Sequence, residues 1–545
     1  MTERELAGNV KRRQFLRTAL VGVGAIAAGG LLAACGQSAP ATPAATQPPA
    51  AAAKPAAQAP AAATSAAPAN IKMGGTFTYG TPQPIQTFDP DNPGLANNRN
   101  THPGLFNALT KFDEDMNPVA DLAESWEPTN NGLTWTFKLR PGVKFHNGRE
   151  MTSDDVKWSI ERIQNPDTGS PFRTALADID KIEPDGKNSV KIQMKSPNAA
   201  LLASLYDAKI LAPENEKELA SKAIGTGPYK LAEYLVNDRV VLEKNGDYWE
   251  KGKPYMDKVI IKTLADPTAL LTSFTSDAVD AYWQLGSKFV AQLQNDPNHL
   301  VLQPKKSTAL TLFMLDAASE PFKDVKARQA LLHLMDRKTF LEVAYFGLGT
   351  VPESNNPVPP AHPFEKTGFP AIPYDVKKGK ELFSALGVKE LAFKAPAVNP
   401  EWKPISEVLE RSFNEAGIKL TIELQEVNEW LKLVAIGNKY PGTITTNIYL
   451  PGWDPALMLR SWETGNNRHN YSNKELDDAL TMGKREMDAT KRKDTYGQAQ
   501  DILMKDLPTA QISHWKWSHG AHKKVKGMFV RYDGFLEWRE AWIDA

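Results

Sequence analysis

The chain is very poor in cysteine, and Cys35 is the single one among its 545 residues. No intrachain disulfide can form, and the sequence after residue 35 offers no thiol nucleophile. The chain also lacks a net charge, because Lys and Arg together number 64 and Asp and Glu together number 64. A neutral chain has no overall field that attracts nucleic acid, so we expect no nucleic-acid partner.

The sequence also lacks the short motifs of common enzymes. It contains neither a His-Glu-x-x-His metalloprotease motif nor a Gly-x-Ser-x-Gly nucleophile motif. Gly225-Thr226-Gly227 is not followed by the Lys-Ser/Thr of a phosphate loop and predicts a tight turn. No pair of carboxylates is singled out by its spacing. We therefore expect neither an enzyme nor a resident cofactor.

Three histidines near the C-terminus include a His-x-x-His pair: His514, His519 and His522. No acidic or cysteine ligand lies close to them in sequence, and they flank a predicted strand and a lysine-rich loop. The sequence therefore predicts no metal site here, and we expect these side chains on the solvated surface.

The N-terminus has the features of an export signal. Basic residues at 11–17 precede an apolar stretch from Thr18 to Ala34, which is too short for a typical membrane-spanning helix. Arg12-Arg13 followed by Phe15-Leu16 resembles a twin-arginine signal. We predict that residues 1–34 are an export signal peptide of this type.

A lipid anchor and a tether are predicted directly after the signal. Leu32-Ala-Ala-Cys35 resembles a lipobox, whose cysteine carries a diacylglycerol after cleavage. Residues 36–70 are rich in Ala and Pro and contain one charge, Lys54, so they have no apolar pattern with which to form a core. We therefore expect lipidation at Cys35 and a tether over 35–71, holding the protein on the outer face of the cytoplasmic membrane.

The rest of the chain has a mixed α/β pattern. Residues 122–145 alternate apolar and polar side chains around Asn131-Gly132, which predicts a β-hairpin. Thr152-Ser-Asp-Asp155 predicts the start of a helix. Further strands are expected near 310–315 and 418–424, and helices over about 325–335, 404–416, 473–486 and 489–506.

Several ordered segments resemble one family of transport receptors. They are Leu122-Ala-Glu-Ser-Trp-Glu127, Phe137-Lys-Leu-Arg-Pro-Gly-Val-Lys-Phe-His-Asn-Gly148, Gly225-Thr-Gly-Pro-Tyr229, Lys244-Asn-Gly-Asp-Tyr-Trp249 and Phe322-Lys-Asp-Val-Lys-Ala-Arg-Gln-Ala-Leu331. Together they resemble the family 5 extracellular solute-binding proteins of ABC importers, which include oligopeptide-, dipeptide- and nickel-binding proteins. The resemblance covers nearly all of residues 73–530.

The resemblance implies an α/β, two-lobed periplasmic-binding-protein-like fold with an extra domain inserted in the first lobe and a cleft between the lobes. Chain crossings near 305 and 516 would form the hinge, and a ligand that contacts both lobes would favour the closed state. The implied domains are lobe I at 72–105, 222–305 and 518–545, the inserted domain at 106–221, and lobe II at 306–517.

The segment Asn447-Ile-Tyr-Leu-Pro-Gly-Trp-Asp454 leaves a predicted strand of lobe II. In peptide-binding relatives the matching Gly-Trp precedes an aspartate that pairs with the peptide amino group, and a structural Asp-Pro follows later. Here Gly452-Trp453 runs directly into Asp454-Pro455, so Asp454 matches the structural aspartate better. We expect Asn447, Tyr449, Gly452 and Trp453 near the ligand and leave both roles open for Asp454.

Aromatic side chains supply the other candidate contacts. The family pattern places Trp283 at the cleft floor, although a core position is the alternative. Trp515 and Trp517 alternate on the predicted hinge strand and point the same way, toward core or cleft. The same alternatives apply to Tyr79 and Tyr449. Such a cleft would suit sugar rings and peptide side chains equally.

The sequence therefore predicts a substrate-binding lipoprotein that captures its ligand without transforming it. It would act as a monomer, and it would deliver the ligand to ABC permease subunits driven by a separate ATPase. A peptide and an oligosaccharide or other polar organic solute are the two main ligand hypotheses, and a metal chelate is a third. The alternatives are a sensory or scaffold lipoprotein that binds ligand for signalling and, with the least support, an α/β hydrolase.

Overall fold

The computed structural model describes residues 71–92, 96–307, 309–360, 362–396, 402–426, 429, 445–449, 453–465 and 470–544. The predicted signal peptide, Cys35 and all but the last residue of the predicted tether lie outside these ranges. None of the helices in the described part of the chain has the length and hydropathy of a membrane-spanning segment.

A seven-stranded sheet contains the first strand of the described chain at its centre. Thr76–Thr81 pairs in parallel with Lys258–Thr263 on one side and Ala281–Tyr282 on the other, and the remaining pairs are antiparallel. Apolar side chains such as Phe77, Val259 and Ile261 are fully buried against it. The strand order is His299–Leu302, His519–His522, Ala281–Tyr282, Thr76–Thr81, Lys258–Thr263, Arg239–Lys244 and Tyr229–Leu235.

A four-stranded antiparallel sheet contains the predicted hairpin. Ala123–Thr129 and Thr134–Leu139 pair across a turn in which Asn131 and Gly132 have positive φ, so this prediction is confirmed. Ser189–Met194 and Ile179–Pro184 complete the sheet. The helix Ser153–Gln164 packs beside it, and the Asp155 carboxylate accepts a hydrogen bond from the Thr152 backbone N–H at 2.8 Å, as expected for a capping box.

A three-stranded sheet lies in the second half of the chain. Leu310–Met314 is its central strand and pairs antiparallel with Thr445–Tyr449 and Thr509–His514. A separate parallel pair joins Glu390–Pro396 to Lys419–Gln425. The helices around these strands are Val325–Leu334, Arg337–Tyr345, Val376–Ala385, Trp402–Ala416, Pro455–Met458, Lys474–Arg485 and Ala489–Asp506.

Short elements complete the described fold. Val525–Lys526 pairs with Trp542–Ile543, Phe529–Val530 pairs with Leu536–Glu537, and Thr110–Phe112 pairs with Pro118–Ala120. The remaining α-helices in the described part are His102–Leu105, Leu201–Leu205, Pro267–Thr275 and Ser287–Leu293.

The strands are distributed among the segments that the sequence assigns to lobe I, the inserted domain and lobe II. The chain passes between the seven-stranded and the three-stranded sheet twice, at residues 303–309 and 515–518, which we call the two crossings. These segments contain the positions near 305 and 516 at which the sequence predicts the chain crossings. The exact domain boundaries stay a prediction.

The histidine prediction is wrong in one respect. His514, His519 and His522 are 7%, 0% and 4% exposed, so they do not lie on the solvated surface. His514 ends a strand that packs under helices, and the other two lie in a strand with neighbours on both sides. Burial on a sheet depends on pairing with distant strands, which the local lysine-rich sequence does not reveal.

Candidate functional site

Three of the predicted tryptophans come together at the second crossing. The ring centroids of Trp283 and Trp517 are 5.5 Å apart, and those of Trp515 and Trp517 are 5.8 Å apart. Trp283 directly follows the strand Ala281–Tyr282, while the other two lie in the 515–518 crossing. We call these three side chains the tryptophan cluster. It sits where the chain passes from one sheet to the other.

The polar atoms of this cluster have no partner within the described part of the chain. The indole N–H groups of Trp283, Trp515 and Trp517 are buried without an acceptor among the described residues. The Tyr79 hydroxyl, from the same core, is also buried and unpaired there. Burial raises the pKa of Tyr79 well above its ordinary value, so the hydroxyl keeps its proton. Unpaired buried donors are rare in folded proteins and call for an explanation.

A cavity of about 310 Å³ lies against Trp515. Its wall combines residues near both crossings with residues that follow the helix Arg337–Tyr345. Among the described residues of this wall, Lys516 is the only formally charged one. The lining residues are Leu285, Ser287, Gln303, Ser307, Tyr345, Leu348, Gly349, Thr350, Pro360, His514, Trp515, Lys516 and Ser518.

Trp453 packs between two other aromatic rings. Its ring centroid is 4.3 Å from that of His362 and 4.5 Å from that of Tyr532. His362 accepts a hydrogen bond from the Phe364 N–H at Nδ1, so its Nε2–H donates to the Trp453 carbonyl at 2.8 Å. Burial lowers the pKa of His362 to about 4, and the neutral ring fits this donor and acceptor pattern. His362 therefore holds the backbone and the ring of Trp453.

The turn Arg531–Phe535 connects Trp453 to the tryptophan cluster. Tyr532 contacts Trp453, and the Phe535 ring centroid lies 6.4 Å from that of Trp517. Gly534 has a φ of +86°, and a Cβ at this position would lie 2.7 Å from the Trp517 ring. Only glycine allows this approach without displacing the ring.

His519 fixes the same turn to the strand end at Trp283. Its Nδ1 accepts from the Gln284 N–H at 3.2 Å, and its Nε2–H donates to the Gly534 carbonyl at 2.9 Å. Burial lowers the pKa of His519 to about 4, so the ring is neutral and offers one donor and one acceptor. The position of the tryptophan cluster therefore depends on an uncharged histidine.

Asp454 is bonded within the protein. Its carboxylate oxygens accept from Arg492 at 2.6 and 2.9 Å, and one of them also accepts from the Ala456 N–H at 2.8 Å. It thereby caps the short helix Pro455–Met458. This arrangement matches the structural Asp-Pro interpretation, and a direct ligand contact of Asp454 stays a prediction.

The remaining candidates are only partly described. Asn447 and Tyr449 lie on the strand Thr445–Tyr449, in register with Leu312 and Leu310, and their side chains are not described. Gly452 lies outside the described residues. The structure therefore brings Trp283, Trp515 and Trp517 together. Tyr79 belongs to the same core, and the turn Arg531–Phe535 connects Trp453 to the cluster.

Sequence reasoning missed four aromatic contributors: Tyr345, His362, Tyr532 and Phe535. The Tyr345 ring centroid lies 6.0 Å from that of Trp515. The stretch Tyr532-Asp-Gly-Phe535 carries a signal, because Asp-Gly predicts a turn that brings the two flanking aromatic residues close together. The other two contacts depend on long-range packing that no local pattern records.

Comparison with known proteins identifies the family. The model of the bacterial extracellular solute-binding proteins, family 5 Middle, matches residues 117–470, which is more than half of the chain. The chain belongs to this family. The predicted family resemblance and the predicted α/β binding-protein fold are thus confirmed. The protein is an extracellular or periplasmic type of solute-binding protein, and the relatives found bind solutes rather than transform them.

Two curated relatives cover most of the chain. The glutathione-binding protein GsiB of Pectobacterium atrosepticum is 26% identical over 87% of this chain and 94% of its own length. The di/tripeptide-binding protein 2 of Pseudomonas aeruginosa is 28% identical over 81% of this chain and 90% of its own length. Among solved structures, the binding protein AgaA of A. tumefaciens R10 in complex with agropinic acid has a TM-score of 0.78 at 23% identity. That comparison covers 86% of this chain and 99% of the other, and it shows the shared fold.

Proposed function

We propose that this protein captures a small polar organic solute at the tryptophan cluster and delivers it to the permease of an ABC importer. The observation that carries the proposal is a cavity of about 310 Å³ at the second crossing, whose wall includes Trp515, one of the three residues of the tryptophan cluster. Ligand sites in proteins are mostly apolar concavities of this order with a few polar groups that orient the ligand.

The mechanism we propose is closure around the ligand. The cavity wall takes residues from both sides of the crossings, such as Leu285 near the seven-stranded sheet and Thr350 beyond the helix Arg337–Tyr345. A ligand that contacts both sides has more favourable contacts in the closed arrangement and shifts the population toward it. The two crossings are the segments that would absorb the movement.

Two ligand classes have specific support. The relatives named above are a glutathione-binding and a di/tripeptide-binding protein, which favours a peptide. The pairing of Asp454 with Arg492 favours the second class, an oligosaccharide-like solute. An aspartate already bonded to a guanidinium is a poor partner for a peptide amino group.

The proposal includes export and a membrane anchor. It is supported by the basic, apolar and lipobox sequence that ends at Cys35. Replacing Cys35 by serine should prevent incorporation of labelled fatty acid and release the protein from the membrane fraction. A Cys35→Ser variant that stays in the membrane fraction would contradict the anchor.

The direct test of the proposed function begins with the ligand itself. The full-length chain is purified in detergent and unfolded, and the small molecules it releases are identified by mass spectrometry. Rebinding is then measured by calorimetry, and uptake of the identified solute is compared in cells with and without the protein. Loss of uptake supports the transport role. Specific binding with unchanged uptake would favour the sensory or scaffold alternative.

A further inference from the structure

The predicted inserted domain touches the predicted second lobe at a place where the chain does not cross between them. The Lys484 ammonium lies 2.8 Å from the Asp178 carboxylate, and the two side chains are 33% and 21% exposed. The Lys484 carbonyl accepts a hydrogen bond from the Ala199 N–H at 2.9 Å. Arg460 donates to the Thr174 hydroxyl at 3.0 Å. We call these three interactions the Lys484 contact.

An apolar contact and a small cavity complete this interface. Met487 packs against the core of the predicted inserted domain, and a Cβ at Gly132 would lie 3.2 Å from its sulfur. A cavity of about 60 Å³ separates other parts of the two surfaces, with Ala200 on one side and Leu457 on the other. The interface is therefore small and loosely packed, as expected of a contact that forms and breaks.

Buried polar and charged groups join the predicted inserted domain to the first predicted lobe. Glu537 accepts a hydrogen bond from the Tyr206 hydroxyl at 3.1 Å, and the Arg539 guanidinium lies 3.7 Å from the Asp121 carboxylate. All four side chains are buried. Separating a buried charged pair costs far more than separating a partly exposed one, because the charges are left without water or a partner. A hinge movement at the two crossings should therefore break the Lys484 contact and leave this junction in place.

The Lys484 contact is connected to Trp453 by a short series of bonds. Asp454 follows Trp453 in the chain, and both of its carboxylate oxygens accept from Arg492. The Arg492 Nε–H donates to the Gly483 carbonyl at 2.9 Å, and Gly483 directly precedes Lys484. Trp453 and the surface that touches the predicted inserted domain are thus held together within one bonded unit.

We propose that the inserted domain is a latch for the closed state, which holds the part of the second lobe that carries Trp453 and keeps some ligand-free molecules closed. This inference rests on the lobe closure of the proposed function and assigns a role to residues 106–221. Opening at the crossings moves the second lobe away from these residues, so the Lys484 contact has to break.

The latch and a ligand favour the same arrangement. A ligand that contacts both lobes is bound most tightly when they are closed, and the Lys484 contact exists only then. Each therefore makes the other more favourable, as linkage requires. Without the latch, a larger share of the ligand's binding free energy would be spent on closing the lobes.

The direct test measures the distance between the two parts without ligand. Spin labels are attached in the full-length chain carrying Cys35→Ser, Asp180→Cys and Glu475→Cys, since both new positions are exposed. The chain is purified in detergent and refolded to remove bound solute, and double electron–electron resonance gives the distribution of distances. We expect a shorter, closed distance and a longer, open one. Lys484→Glu replaces attraction to Asp178 by repulsion, so the ratio of open to closed molecules should rise about two- to tenfold.

A charge exchange distinguishes the pair from a general effect of charge. Lys484→Glu combined with Asp178→Lys restores an attractive pair and should return the ratio toward its original value. Arg485→Glu is the matched control, because it makes the same change of charge in the same helix turn at an exposed position. Its ratio should be unchanged. Equal ratios in Lys484→Glu and Arg485→Glu, or an exchange that restores nothing, would overturn the latch.

A further variant covers the case in which nearly all molecules are closed. Met487→Ala removes the apolar part of the interface, and combined with Lys484→Glu it should open the protein more than either substitution alone. An unchanged distance distribution in this combined variant would overturn the latch. Urea titration of each variant checks that it is folded.

These results separate the latch from the proposed function. The distances are measured without ligand, so an unchanged distribution would overturn the latch and leave the solute-binding receptor intact. The proposed function would fail separately if the solute released from the purified protein bound specifically while its uptake by cells did not depend on the protein.

Discussion

The segment around Asp454 and the tryptophan cluster are both largely buried, and both contain side chains that the sequence marks as candidate ligand contacts. They differ in how their polar atoms are paired. The Asp454 carboxylate is bonded to Arg492 and to a helix N-terminus. The cluster has three indole N–H groups without an acceptor among the described residues. Burial alone therefore does not separate a structural polar residue from a binding one.

The difference has a physical consequence that can be measured. Removing one partner of a paired buried group leaves the other partner unsatisfied, which strongly destabilises the fold. Removing a donor that has no partner in the ligand-free protein breaks no hydrogen bond there, but it weakens a complex in which a ligand supplies the acceptor. Substitutions around Asp454 should therefore lower the stability of the fold more than the affinity for ligand, and substitutions in the tryptophan cluster should lower the affinity more than the stability.

The largest effect is expected for Asp454→Ala. Arg492 is 7% exposed, and the substitution leaves its guanidinium buried without the carboxylate. We expect the free energy of unfolding to fall by about 3–5 kcal/mol, measured by urea titration. Asp115→Ala is the control, since its exposed side chain should change stability by about 0.5 kcal/mol or less. A loss of ligand affinity in Asp454→Ala with unchanged stability would break the comparison.

The second effect concerns the neutral histidine within the tryptophan cluster region. The pKa of His519 is about 4 in the folded protein, below the ordinary value of about 6.5 that holds in the unfolded chain. The unfolded chain therefore takes up a proton first as the pH falls. The stabilising contribution of neutral His519 to the free energy of unfolding is therefore complete above about pH 6.5 and decreases progressively as the pH falls to 4. At pH 4 this residue lowers the free energy of unfolding by about 3 kcal/mol relative to neutral pH.

His519→Gln tests this pH dependence, because glutamine offers a donor and an acceptor and does not titrate in this range. Its free energy of unfolding should fall less steeply between pH 6.5 and 4 than that of the unsubstituted protein. His333→Gln is the control, since His333 is only half-buried on a distant helix. An unchanged slope in His519→Gln would show that this residue is not the neutral link between Gln284 and Gly534.

The sequence predicts local structure well and long-range pairing poorly, and single residues show why. The Asn131-Gly132 hairpin and the Thr152–Asp155 cap depend on neighbours in the chain, so their signals are complete within a few residues. His519 is buried because its strand pairs with strands more than 200 residues away. No local pattern contains that information, and its lysine-rich surroundings suggest exposure.

The candidate site likewise combines residues that the sequence predicts with contacts that only the folded chain creates. Trp283, Trp515 and Trp517 were predicted from residue type, position after a strand and family resemblance, and the structure brings them together. Tyr532 and Phe535 join them through the turn that Gly534 permits, which is a property of the folded C-terminus. The pairing of Asp454 with Arg492 joins residues 38 positions apart and engages the carboxylate within the protein, yet the spacing of the two residues in the sequence does not predict this pair.

A smaller effect compares two buried tryptophans directly. Trp135 and Trp283 are 4% and 1% exposed, and phenylalanine removes a similar volume at each site. Trp135→Phe also removes the hydrogen bond to the Gly132 carbonyl, whereas Trp283→Phe removes a donor that has no acceptor among the described residues. In ligand-free protein, Trp135→Phe should therefore cost about 1 kcal/mol more in the free energy of unfolding. Equal costs would mean that the Trp283 N–H already has a partner.

The smallest effect is expected at an ion pair that is partly exposed. Lys484, at the end of the helix Lys474–Arg485, lies 2.8 Å from Asp178 of the four-stranded-sheet region, with side chains 33% and 21% exposed. Its carbonyl also accepts from the Ala199 N–H at 2.9 Å, and a substitution of the side chain leaves that bond in place. Solvent screens such a pair, unlike that of Asp454 with Arg492.

A double-mutant cycle with Lys484→Met and Asp178→Asn isolates the energy of this pair. We expect a coupling of about 0.2–1 kcal/mol in the free energy of unfolding, since the two groups keep access to water. The pair joins the inserted-domain segment to the predicted second lobe, so its loss should also speed ligand dissociation slightly, as measured by stopped flow. A coupling as large as the effect of Asp454→Ala would contradict this expectation. It would mean that water does not screen the Lys484–Asp178 pair in solution, despite the partial exposure of both side chains.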